Sequence, residues 1–192
     1  MSTINEGFVQ DRVRGLRERF GDFPVEDDVV EVPPDEFPEY VANARDGYVG
    51  SAYAWTVRQP EQAGEPSETH SGGEETRERA LLILPRGKSA WGVPGGGRED
   101  GESFPEAAHR EVREEAGVDC EVTGAWLAEH VRWRSEDDSD ERVSHTLHVF
   151  FDATYEGDTI SVQQAEVDSA AWFARPPGRM DEYTRRRADT FF

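Results

Sequence analysis

Apolar residues recur along the 192-residue chain with two different periods, and the change of period marks off its elements. Val9, Val13, Leu16 and Phe20 fall three or four apart with Arg and Asp between them, so the spacing predicts a short amphipathic helix that GDFP stops. Asp35 and the run FPEYVANAR predict a second short helix, ended by Gly47. From Val49 to Val57 the residues turn β-type, with Tyr53 and Trp55 on one side and Ala52, Ala54 and Thr56 on the other, which predicts a strand. Residues 60 to 78 carry turn formers and charge with no core residue and read as a long mobile loop. Arg79 to Leu84 is strand again. Further on, Glu121 to Trp133 and Arg142 to Tyr155 read as two long strands joined by the acidic turn SEDDSDE, and in the second of them Val143, His145, Leu147, Val149, Phe151 and Ala153 share one face. A short strand at Ala170 to Phe173 and an Arg-rich helix over about Met180 to Asp189 follow. Strands on both sides of a central loop and helix predict an α/β fold, a mixed sheet covered by helices. The expected organisation is an N-terminal helical extension over residues 1–47 and a main domain over 48–192.

The central segment, Gly95 to Val118, reads GGGREDGESFPEAAHREVREEAGV and departs from both periods. It opens as a glycine-rich loop and closes as a helix, in which Phe104, Ala108 and Val112 make a packing stripe and Glu111, Glu114 and Glu115 fall at i, i+3 and i+4. The three carboxylates therefore share a face. Two carboxylates about 6 Å apart repel by roughly 3 kcal/mol at an effective dielectric near 20. Raised pKa values or the neighbouring Arg110 and Arg113 could offset this; a hard divalent cation such as Mg²⁺, which prefers oxygen ligands, fits three clustered carboxylates better. Pro94 followed by Gly95, Gly96 and Gly97 lets backbone approach a metal or phosphate closely. Glu102, just ahead of the helix, is placed to pair with Arg110 and hold loop to helix.

Charge narrows the choice of partner. A net charge of −20, with twenty Arg and the single Lys88 against 41 acids, argues against a nucleic-acid duplex as partner. The composition resembles that of proteins from salt-accumulating haloarchaeal cells, which suits a halophilic protein. Cys120 stands alone, so no disulfide closes within the chain, and no apolar run approaches the ~18 residues of a membrane helix. The start MSTINEGFVQDRVRGL lacks the apolar region of a secretory signal. A cytoplasmic protein with no membrane partner is the expectation.

The central segment resembles the signature of the Nudix hydrolases, G-x5-E-x7-R-E-U-x-E-E-x-G-U with U aliphatic. Gly96, Glu102, Arg110, Glu111, Val112, Glu114, Glu115, Gly117 and Val118 occupy all nine specified positions. The resemblance implies an α/β/α sandwich with the signature as a loop, helix and loop, and hydrolysis of a nucleoside diphosphate linked to another group. It implies Mg²⁺ or Mn²⁺ held by Glu111, Glu114 and Glu115 with the Gly96 carbonyl, and a helix oriented by Glu102 and Arg110. Glu115 is one candidate for the general base. Glu166, six residues before Trp172, resembles an acidic position that many relatives carry ahead of a strand Trp, and is the other. A nucleotide-binding sensor on the same fold is the rival reading, although such relatives often lose signature acids and every one is present here.

Weaker signals favour bland readings. His145 and His148 fall on opposite faces of a strand, so each is read as a core or surface residue and not as a metal ligand. Tyr53, Trp55, Trp91 and Trp133 could stack on a base, but core packing is favoured for each. Cys120 reads as a small strand residue. The N-terminal helix either serves a homodimer interface or caps the sheet. The substrate stays open among ADP-ribose, oxidised nucleoside triphosphates and dinucleoside polyphosphates. From the charge alone, the melting temperature should rise steeply between low salt and molar KCl as the screening length shortens from about 10 Å at 0.1 M to about 3 Å at 1 M; a melting temperature indifferent to KCl would remove the halophilic reading.

Overall fold

The computed structural model describes residues 2–62, 77–162 and 165–192. Most of the loop expected over 60 to 78 lies outside them. The fold is of the expected α/β class with a mixed sheet, and its residues cluster into two compact units. The first comprises Met1–Ala52, Gly96–Ala107 and Gly124–Phe151, and the second Tyr53–Gly95, Ala108–Thr123 and Asp152–Phe192. Several long elements run through both units.

In the first unit, β1 (Ser2–Ile4) pairs parallel with β7 (Arg142–Gly157), and β2 (Val25–Val32) pairs parallel with β6 (Asp119–Ser135) in a register running from Val25 opposite Ala128 to Val32 opposite Ser135. The N-terminal 47 residues thus hold two strands beside the expected helices α1 (Glu6–Phe20) and α2 (Phe37–Arg45). The strand β2 reads VEDDVVEV, and its charged residues hide its type; what holds it is eight residues of pairing with β6, a tertiary constraint that overrides local preference. Its carboxylates also guard an edge strand against adding a further strand. Val9 and Leu16 carry the buried stripe of α1. The ring of Trp133 stacks on Tyr40 at 4.5 Å, against the cluster of Val32, Phe37 and Val41 that fixes α2. The expected inner face of β7 is buried throughout, including His145. That histidine is paired: its Nδ1 lies 2.8 Å from Nε2 of His130, whose Nδ1 lies 3.1 Å from Asp27.

In the second unit, β3 (Gly50–Arg58) pairs antiparallel with β4 (Arg79–Pro85), which pairs antiparallel with β8 (Val167–Phe173). Ala80, Leu81, Leu82 and Ile83 are all buried, so β4 is covered on both faces, as its unbroken apolar run suggests. The helix α4 (Glu182–Phe191) starts at Asp181, whose side chain accepts the Thr184 N–H, and is tied down by Arg187, which donates to Asp152 at 2.6 Å. The Trp55 side chain is core, as expected, and meets Phe191 edge-on. Among the described residues no helix is long and apolar enough to cross a membrane.

Cys120 is buried on β6, and burial above all pushes its thiol up to about 11. At pH 8 roughly one molecule in a thousand then carries the thiolate. Ellman's reagent at pH 8 should label the folded protein orders of magnitude more slowly than the urea-unfolded chain; equal rates would show that the thiol is open to solvent.

Candidate functional site

The helix α3 (Phe104–Ala116) is set by its ends as well as by its stripe. At the start, Ser103 and Glu106 form a reciprocal cap: Glu106 accepts the Ser103 N–H at 2.8 Å, and the Ser103 hydroxyl accepts the Glu106 N–H at 3.4 Å. At the other end Gly117 adopts φ 72°, a left-handed turn that ends the helix with its N–H on the Arg113 carbonyl at 2.9 Å. A side chain at Gly117 would also collide with Ser161, whose N–H bonds the Ala116 carbonyl. Between the caps, Phe104, Ala108 and Val112 are buried.

That anchoring decides where the glutamates go. Glu111 and Glu115 are each only 8% exposed, whereas the Glu114 side chain is 49% exposed. Arg110 links two of them, its Nη1 donating to Glu111 Oε1 and to Glu114 Oε2, both at 2.9 Å. Glu115 Oε2 instead accepts the Gly95 N–H at 2.8 Å. Burial is the main force raising the Glu111 carboxyl, opposed by its bond to Arg110. Glu115 is pushed up to about 7, again mainly by burial; the Gly95 N–H works against this, and the charges of Glu111, Glu166 and Glu114 add to it. Glu166, exposed just ahead of β8, is therefore within electrostatic reach of both buried acids. Arg113 is exposed and acts on Asp119.

Among the described residues no group of three or more His, Cys, Asp or Glu side chains converges closely enough to hold an ion as it stands. The donor chemistry nonetheless suits a hard cation: two carboxylates are withdrawn from water with a third beside them, and among the described residues the Arg110 guanidinium and the Gly95 N–H donate to them.

The remaining residues expected at the site, Gly96 and Glu102, belong to the first unit, Gly96 within β5 (Gly95–Gly97). The Glu102 carboxylate accepts the Glu99 N–H at 2.9 Å. Arg98 latches this loop from inside, donating to the carbonyls of Glu102, Glu99 and Gly47 at 2.7, 2.9 and 3.1 Å, while its own N–H bonds Gly50. Nothing in the sequence flags it, because a lone Arg in a charged loop reads as solvated. Of the aromatic candidates, Trp91 packs edge-on against Phe173 with ring centres 4.8 Å apart.

The NUDIX domain matches residues 74–179, more than half of the chain. The chain belongs to the Nudix family. Nucleoside triphosphatase NudI of Enterobacter sp. (strain 638) is similar to this Nudix chain, 30% identical over 88 residues that make up 44% of this chain. The same stretch makes up 62% of NudI, so the chain spans less than two thirds of that relative's length. Among solved structures it is similar to a UDP-X diphosphatase (TM-score 0.49, 18% identity, 84% of this chain and 70% of that one). It is also similar to a NUDIX-family hydrolase from Clostridium perfringens (TM-score 0.48, 15% identity, 75% and 95%). At these scores neither structure carries an argument about substrate.

With its carboxyl raised from 4.5 to about 7, Glu115 holds a proton in the fold that the unfolded chain has released. Its contribution to stability is fully present below pH 4.5 and is lost as pH rises through 7. In divalent-free buffer, carbon NMR of the Glu115 carboxyl should show a midpoint near 7, and a midpoint at the ordinary value for Glu would show a solvated side chain.

Proposed function

We propose that this Nudix chain is a metal-dependent pyrophosphohydrolase that cleaves the diphosphate bond of a nucleoside diphosphate linked to another group. The observation that carries the reading is the burial of Glu111 and Glu115 one helical turn apart, with Glu114 beside them. The other acids among the described residues are largely solvated, and withdrawing two carboxylates from water has a cost that a bound cation would offset and that a purely structural helix would avoid by using neutral residues.

Glu111, Glu114 and Glu115 would hold Mg²⁺ or Mn²⁺, with Arg110 released from its present pairing toward the anionic substrate. When bound, the ion would neutralise diphosphate oxygens and favour hydroxide over water as nucleophile. The rest falls to the chain itself. Gly95 N–H would keep the Glu115 carboxylate aimed. Glu166, exposed and acting electrostatically on Glu115, would accept the proton of the attacking water, a role that Glu115 is less free to fill while it is bonded to Gly95. Arg110 would stabilise charge gathering on the departing phosphate.

The relative at 30% identity is named a nucleoside triphosphatase, which puts nucleoside triphosphates first among substrates to try. The test is product release from nucleoside triphosphates, sugar nucleotides, ADP-ribose and dinucleoside polyphosphates in molar KCl, with Mg²⁺ and then with excess EDTA. Monophosphate products are expected from at least one of them, and EDTA should abolish their release. Because losing groups that merely support a ligand costs about 10- to 100-fold, Glu114→Gln should lower turnover by about two orders of magnitude or more with the melting temperature little changed. Failure of every substrate with Mg²⁺ present, or full activity of Glu114→Gln, would overturn the assignment.

A further inference from the structure

We propose that Thr184 and Asp181, at the start of α4, are positioning residues that set the Gly95 N–H against Glu115 by gripping residues 91 to 93. The catalytic consequence of this grip rests on the hydrolase reading; the grip itself does not.

The contacts form a continuous series. Asp181 caps α4 with both oxygens, accepting the Thr184 N–H on Oδ1 and the Thr184 hydroxyl on Oδ2, each at 2.8 Å. With its proton so directed, Thr184 Oγ1 turns a lone pair to the Val93 N–H, which donates to it at 3.0 Å. This bond is buried, and Thr184 is wholly inaccessible to solvent. Two backbone bonds flank it, Trp91 N–H to the Arg179 carbonyl and Asp181 N–H to the Trp91 carbonyl, both at 3.0 Å. On the opposite side Gly92 exchanges two bonds of 2.9 Å with Ile83 of β4. Pro94 has no N–H to give, but its carbonyl accepts the Ala54 N–H at 3.0 Å. Each residue from 91 to 94 is thereby held by at least one hydrogen bond, and the next N–H, that of Gly95, donates to Glu115 Oε2.

A helix needs no such arrangement for its own stability, since Asp181 alone satisfies the cap. The hydroxyl of Thr184 serves the neighbouring segment: a Val there would keep the shape and leave the Val93 N–H buried without an acceptor. Gly92 fits the same purpose. A Cβ at Gly92 would come within 2.7 Å of Asp181 Oδ2, the oxygen that orients the Thr184 hydroxyl, so a side chain there would push that carboxylate out of its present place.

The test compares wild type with Thr184→Val, Thr184→Ser and Gly92→Ala. Amide exchange in metal-free protein should accelerate about tenfold at both Val93 and Gly95 in Thr184→Val, the scale of one lost hydrogen bond, and return to wild type in Thr184→Ser. Gly92→Ala should reproduce the acceleration without touching Thr184. In the hydrolysis assay, Thr184→Val should lower kcat by about tenfold with KM within about twofold, because an aimed carboxylate matters to turnover more than to binding. Faster exchange at Val93 with Gly95 and kcat unchanged would overturn the proposal and leave Thr184 as an acceptor for Val93 alone. If neither Thr184→Val nor Gly92→Ala folds, wild type decides: Gly95 and Thr184 amides should exchange through one shared opening, with the same dependence on denaturant, and independent exchange would overturn the clasp. A wild type that hydrolyses nothing would remove the hydrolase reading alone, because amide exchange needs no turnover.

Discussion

A carboxylate taken out of water must find a proton, a cation or a set of donors, and the second unit is organised around how Glu115 meets that demand. As it stands the side chain uses the first and the third, holding a proton to about pH 7 and accepting, among the described residues, one backbone N–H. Neither is a full answer. One amide satisfies one lone pair of an anion that can accept several bonds, and protonation is easily displaced by a stronger positive charge. The side chain has nowhere else to turn, because Phe104, Ala108 and Val112 fix the rotation of α3 and Gly117 fixes its end. Glu111 shares the predicament in milder form, with Arg110 as its counterion. The helix therefore presents acids whose present partners are weak, beside a neighbour, Glu166, that raises the pressure on both.

Much of this was legible in the sequence, and the reason is local. The stripe and the acid triplet of α3 lie within one helix, so 3.6-residue periodicity places them without any knowledge of what surrounds them. The same holds for β3, β4, β6, β7 and β8, whose β-type residues or, in β4, unbroken apolar run can be read within the strand itself, and for α1, α2 and α4. The strands that escaped notice lack that signal for identifiable reasons. β1 is three residues long, β5 is three glycines, and β2 is crowded with charge. Each is strand only because a partner across the sheet supplies its hydrogen bonds.

The site's finer features were hidden for a related reason. Periodicity says that Glu111, Glu114 and Glu115 share a face but not which two of them sink and which one stays in water. That depends on what packs beside the helix. His130 and His145, fifteen residues apart on neighbouring strands, meet only because of the register of β6 on β7. Arg98 disappears into its loop by satisfying backbone carbonyls, a role that any long cation could fill on paper. Thr184 and Val93 are 91 residues apart and carry no mark that links them.

That separation bears on how the molecule is made. At about 5 to 20 residues per second, a ribosome that has added Val93 works on for roughly 5 to 18 seconds before Thr184 exists. During that interval β3 and β4 can already pair, yet the glycine-rich turn has no acceptor for its buried N–H. The shape of that turn therefore waits on a residue that the ribosome adds long after the turn itself.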